Sequence, residues 1–149
     1  MLDEKSIKIV ESNVKSYLEE GLLKKNDFQE IIFRVLINNA NDSLETANFL
    51  YKNNKSNLWV IVSAYYSMFY IANAVLYKIG YKVGEKIVHK VTSDALIVFV
   101  RNKLKESLFQ EYEEARNEAL EIAGLEADEL LKNFDFEMVK RSKFQYKIK

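Results

Sequence analysis

Residues 58–77 contain no charged side chain. Extended to Ile79, the run LWVIVSAYYSMFYIANAVLYKI makes a helix of roughly 33 Å at about 1.5 Å per residue. That is long enough to cross a bilayer. Its internal polarity argues against a membrane span. Ser63, Ser67 and Asn73 lie within it, as do Tyr65, Tyr66, Tyr70 and Tyr77. Tyrosine favours the membrane–water interface, whereas Tyr65, Tyr66 and Tyr70 would fall near mid-bilayer. The stretch therefore predicts the central helix of a soluble bundle, covered almost all round by other helices.

The rest of the chain reads as helices around that one. Residues 4–20 place Ile7, Val10, Val14, Tyr17 and Leu18 at helical spacing, and Gly21 is a plausible stop. Asp27 and Glu30 suggest a capping box for a second helix starting near Phe28. Phe28, Ile31, Ile32, Val35 and Leu36 make its apolar stripe, continued by Leu44, Ala47, Leu50 and Tyr51. The poor helix formers Asn38, Asn39, Asn41 and Asp42 predict a bend between the two halves. Residues 53–57 form a turn in which Ser56 or Asn57 caps the central helix. Residues 80–84 read as a loop. A fourth helix spans about residues 85–102, with Ile87, Val88, Val91, Ala95, Leu96, Phe99 and Val100 inward. A fifth covers about 105–123, and a sixth runs from about 126 toward the C-terminus. With no proline and only four glycines in 149 residues, a strand-rich fold lacks its turn chemistry. The expected architecture is a single-domain all-α, up-and-down bundle of about five to six helices.

Composition narrows the chemistry. There is no cysteine, which excludes disulfides and thiolate metal sites. The mixed, charged N-terminus does not resemble a signal peptide, and the cytoplasm is the expected location. Net charge is zero, so the whole chain does not advertise nucleic-acid binding. Its distribution is uneven. Residues 111–137 hold ten acids against Arg116 and Lys132, whereas residues 140–149 hold five bases and no acid. Two solvated faces would account for this, the basic one well placed at a helix C-terminus. The single histidine, His89, lies beside inward-facing Val88, where a hydrogen-bonded boundary position is the plain reading. No HExxH or CxxC motif is present, the acidic run offers no Glu-x-x-His pair, and no metal or cofactor is expected. Phosphate-cradling loops and a GxSxG elbow are also absent.

The most specific polar feature is residues 136–146, FEMVKRSKFQY. Glu137 and Arg141 stand i, i+4, in the better orientation for a helical ion pair. As a surface pair this is worth only ~0.3–0.5 kcal/mol. In a functional reading, the planar fork of Arg141 grips a phosphate. The hydroxyl of Tyr146 stands nearby, and Lys140, Lys143 and Lys147 add charge. Arg141 and Tyr146 lie about 140° apart around an ideal helix. They converge on one phosphate only if the helix loosens or a second copy of the chain contributes.

Residues 40–54, ANDSLETANFLYKNN, and residues 58–90, which carry Ala64-Tyr65-Tyr66, resemble the HEPN superfamily, named for higher eukaryotes and prokaryotes nucleotide-binding. The resemblance rests on Ala40, Leu44 and Ala47; Ala64, Tyr65 and Tyr66; Ala72, Ala74 and Leu76; Gly80; and His89. It covers residues 28–102 well and the C-terminal third loosely. It implies one HEPN-like helical domain over residues 1–149, with 1–24 as an N-terminal helical extension. It further implies a bundle of four or five helices, often a homodimer. Many relatives are metal-independent endoribonucleases, frequently toxins; others are non-catalytic partners of small nucleotidyltransferases. The catalytic signature is an arginine followed, after four to six residues, by a histidine on a late helix. The arginine holds the scissile phosphate and the histidine takes part in proton transfer.

This chain departs from that signature. No histidine follows Arg101 or Arg116, and Tyr146 stands where the histidine partner of Arg141 would be. With an ordinary pKa of about 10, tyrosine is a poor general base near pH 7. The leading expectation is an interaction module of a toxin–antitoxin or nucleotidyltransferase-associated system. It would be a homodimer with a minimal nucleotidyltransferase as partner and no membrane contact. RNA or nucleotide would meet Arg141, Lys140, Lys143, Lys147 and His89. One alternative is a metal-independent endoribonuclease using Arg141, Tyr146 and Glu137; another is a structural helical adaptor.

Overall fold

A computed structural model describes residues 2–103, together with Glu114. Among the described residues the chain forms four α-helices and a two-stranded ribbon. In order these are α1 (Glu4–Glu20), β1 (Leu23–Lys25), α2 (Glu30–Lys52), α3 (Asn57–Lys78), β2 (Tyr81–Val83) and α4 (Val88–Phe99), followed by a 3-10 turn, Arg101–Lys103. The architecture is mostly helical, as the hydrophobic spacing predicts. The expected fifth and sixth helices lie outside the described residues.

α1 follows its sequence signals closely. Its N-cap Asp3 accepts a hydrogen bond from the Ser6 backbone N–H at 2.7 Å, and that bond holds the carboxyl below its ordinary value. Gly21 ends the helix in the left-handed region, φ 73°, where a side chain would be strained. The chain then turns directly into β1, which pairs antiparallel with β2 in the register Leu23 with Val83, Lys24 with Lys82, and Lys25 with Tyr81. Residues 80–84, expected as a loop, thus contribute a strand. Gly84 makes a close approach there: a Cβ would crowd the Leu22 carbonyl oxygen at 3.1 Å and that of Gly21 at 3.3 Å.

α2 runs unbroken for 23 residues, so the asparagine cluster does not bend it. Packing along α3 overrides the weak local preference of Asn38, Asn39, Asn41 and Asp42. Its start also differs from the capping-box expectation, because Gln29 is the N-cap and no side chain bonds there. Ser56 likewise occupies the N-cap of α3 without a side-chain bond. The predicted apolar stripe of α2 is too broad. Ile31, Val35, Leu44 and Tyr51 are exposed, and the fully buried positions are Ala40 and Ala47. Small residues let α3 approach closely, and Ser67 Oγ donates to the Ala40 carbonyl at 2.8 Å.

α3 sits between α2 and α4. Val62, Tyr65, Phe69, Ala72, Ala74, Leu76 and Tyr77 are buried. It is not covered all round, however: Ile71, Val75 and Ile79 form an exposed edge. By length and composition α3 meets the criterion for a membrane span. Several of its polar groups are nonetheless bonded to neighbouring elements. Asn73 Nδ2 donates to Thr92 Oγ1 at 3.2 Å. Tyr77 donates its hydroxyl hydrogen to the Asp27 carbonyl at 3.2 Å and accepts from the Gln29 N–H at 3.1 Å.

α4 is shorter than predicted and begins at Val88, because Ile87 takes a left-handed φ of 44° at the N-cap. Ile87 is exposed rather than inward. The main core joins Val14, Tyr17 and Leu23 to Ala72 and Leu76 of α3 and to Val91, Ala95, Leu96 and Val100. Within it lies one carboxylate, Asp94. Tyr17 donates to its Oδ2 at 2.8 Å, Asn13 Nδ2 at 3.4 Å, and Lys90 Nζ stands 3.5 Å away. Burial pushes the Tyr17 hydroxyl well above its ordinary pKa, and the bond to Asp94 adds to the effect.

Asp94→Ala leaves the Tyr17 hydroxyl buried without its acceptor and is expected to cost about 2–3 kcal/mol in urea unfolding; an unchanged midpoint would contradict the account. The raised Tyr17 pKa gives a sign as well. Its stabilisation is intact below about pH 10, the unfolded value, and is lost as pH climbs toward the folded value. Tyr17→Phe is expected to flatten the fall of stability above pH 10 relative to wild type.

Candidate functional site

The chemistry-bearing residue that the fold places is His89, in the first turn of α4. It is 4% exposed, deeper than the boundary position expected of it. The Tyr65 hydroxyl lies 3.1 Å from Nδ1, and the Tyr66 hydroxyl lies 3.5 Å from Nε2, at the outer limit of hydrogen-bond length. The Phe69 ring centroid stands 4.3 Å from that of the imidazole. Tyr65 and Tyr66 surround it at 5.6 and 5.5 Å, the latter edge-on. A neutral imidazole has one donor and one acceptor nitrogen, and a phenol can be either. Two hydroxyls flanking the ring therefore match it in either tautomer.

The backbone explains the meeting. The segment after Gly80, through β2 and residues 84–87, carries the chain back to the middle of α3, and α4 then runs in the same sense as α3: His89 meets Tyr65, Thr92 meets Asn73, and Phe99 stacks on Tyr81. Tyr65 and Phe69 are i, i+4 on the face of α3 that meets α4, and Tyr66 is next to them on the edge. Tyr66, Met68, Tyr70 and Val88 pack around the Tyr65–Phe69 pair. The sequence marks both Ala64-Tyr65-Tyr66 and His89, but it does not show that the two features are one cluster. What brings them together is the connection of residues 80–87, which returns the chain to the middle of α3 before α4 begins. The Tyr17–Asp94 contact, 77 positions apart, leaves no such local trace.

Of the residues expected to contact RNA or nucleotide, His89 is therefore placed in the core. Arg141, Lys140, Lys143 and Lys147 lie outside the described residues, as do Tyr146 and Glu137 of the alternative catalytic set. Among the described residues no group of three or more His, Cys, Asp or Glu side chains could hold a metal ion.

Fold and site together define a helical-bundle module whose one imidazole is built into a helix–helix contact. The family model for the HEPN domain matches residues 33–134, more than half of the chain. The chain belongs to the HEPN domain family. Neither the curated proteins nor the solved structures contain a match to it. The matched segment takes in most of α2 and all of α3 and α4, whereas α1 and β1 precede it.

His89→Ala removes a partner from two tyrosine hydroxyls and leaves a cavity beside Phe69. The expected loss is about 2–4 kcal/mol in urea unfolding. A loss below about 0.5 kcal/mol, the level of an ordinary surface substitution, would show that the cluster is not a packing centre.

Proposed function

We propose that this HEPN module works by association and not by histidine-dependent cleavage. In this reading it forms a homodimer in the cytoplasm and pairs with a protein of a toxin–antitoxin or minimal nucleotidyltransferase system. It contacts RNA or nucleotide through Arg141, Lys140, Lys143 and Lys147. The observation that carries the reading is the burial of His89 between Tyr65, Tyr66 and Phe69. A general acid or base must come within hydrogen-bond reach of the proton it moves. The only histidine of the chain is instead committed to joining α3 and α4. The charge distribution supports the RNA contact, since residues 140–149 carry five bases and no acid. An arginine fork suits a phosphate, and lysines nearby add point charges.

The test compares wild type with Arg141→Ala on labelled RNA in EDTA, following retention and cleavage in one reaction, with light scattering for mass. The reading predicts a dimer that retains intact RNA and does so less well in the variant. Cleavage by wild type that is lost in Arg141→Ala would overturn it in favour of an Arg141–Tyr146 nuclease, with Glu137 orienting the arginine.

A further inference from the structure

The turn end of the α2–α3 hairpin differs in chemistry from the rest of the described surface. From residue 46 to residue 84 the chain has no acid, and its charges are Lys52, Lys55, Lys78 and Lys82. Residues 51–57 are all exposed. Three aromatic rings are exposed at this end: Phe49 at 63%, Tyr51 at 72% and Trp59 at 46%. Of the exposed branched aliphatic side chains of the two helices, Ile31, Val35, Ile71 and Val75 lie toward the opposite end, and Leu44 stands about two turns from the tip. The hydrogen bonds that α4 makes to α3 begin at Tyr65. Among the described residues the first turns of α3 and the last turns of α2 therefore project past that contact.

The tip is held in one shape by its own bonds. Asn53 Nδ2 donates to the Phe49 carbonyl at 2.8 Å, and the Lys55 N–H donates to the Leu50 carbonyl at 2.9 Å. Asn54 takes a left-handed φ of 52°, a region that asparagine tolerates better than most residues. Lys52, Lys55, Asn54 and Asn57 are left on the outside.

We propose that this tip is a second binding surface, for single-stranded nucleic acid. Exposed ring faces stack on unpaired bases, lysines neutralise the phosphates between them, and amides reach base edges. The absence of acids over 39 positions (84 − 46 + 1) removes the repulsion that a polyanion would otherwise meet. A duplex does not offer its base faces, so the rings favour a single strand. Phe49 and Tyr51 are two positions apart and point to different sides of α2. A strand must therefore cross the end of the hairpin to meet both, with Trp59 of α3 beside the path. A membrane-seated tip would also use aromatics and lysines. It would have to take Asn53, Asn54 and Asn57 out of water, which disfavours it. The inference extends the RNA reading above to another surface, but it does not require residues 140–147.

Trp59 is the only tryptophan, so its emission reports on this surface without labelling. The full chain is titrated with a 15-nucleotide oligouridine and, separately, with phosphatidylserine vesicles. Saturable quenching by the oligonucleotide is expected. Tyr51→Ala should weaken binding roughly five- to hundred-fold, the range for one stacked base. Lys52→Ala with Lys55→Ala should make the slope of log affinity against log salt shallower by about 1.4, from two lost phosphate contacts. These side chains are exposed, and an unchanged urea midpoint checks that the variants fold. The proposal is overturned if the oligonucleotide leaves the emission unchanged, or if binding is indifferent to the tip variants and lost in Arg141→Ala. The latter result would leave the C-terminal RNA contact standing. A blue shift with vesicles alone would assign the tip to a lipid surface instead.

Discussion

The structure depends on one constraint: a charge-free helix carrying several polar atoms must find a partner for each of them. An unsatisfied buried donor or acceptor costs about 1–3 kcal/mol. Five polar residues of α3 resolve this with neighbouring elements. Ser67 bonds to the α2 backbone, Tyr65 and Tyr66 meet His89, Asn73 reaches Thr92, and Tyr77 ties down the segment leading into α2. Apolar packing alone would let α2 and α4 slide or rotate against α3. The directed bonds fix both registers, and they explain why a helix with the dimensions of a membrane span has tyrosines at its centre.

The same logic operates one layer out. α1 covers α4 through Val14 and Tyr17, and the interface contains a carboxylate, Asp94, whose partners among the described residues are Tyr17, Asn13 and Lys90. Breaking such a cluster by removing one member is costly because the remaining groups stay buried. The ribbon formed by β1 and β2 then ties the end of α1 to the end of α3. Although α1 precedes the residues matched by the family model, its side chains help to form the core.

Much of the fold is legible in the sequence because its signals are local. Gly21 marks the end of α1, and the charge-free run marks α3. The family resemblance rests largely on packing residues: Ala40, Ala47, Tyr65, Ala72, Ala74, Leu76 and His89 are buried, whereas Leu44 is exposed. What misleads is propensity read without neighbours. The asparagines of α2 suggest a bend that the contact with α3 removes. The segment around Gly80 looks like a loop because its strand partner, β1, lies some 60 positions earlier. For the candidate site the split is similar. Tyr65, Tyr66 and His89 can each be picked out, but their convergence requires the connection through β2 to return the chain to the middle of α3 before α4 starts. The remaining expected site residues, from Glu137 to Lys147, stand outside the described part of the chain, and their case rests on charge and spacing.

Functionally, the account turns on whether His89 is a reactive group or a structural one. A chain with a single histidine permits a direct answer. Diethylpyrocarbonate modifies accessible imidazole, and the product absorbs near 240 nm; here that signal can come from His89 alone. The core placement predicts that the native protein gives no 240 nm increase under conditions in which the urea-unfolded chain reacts fully. Equal rates for the native and unfolded chains would place the imidazole at the surface and contradict the account.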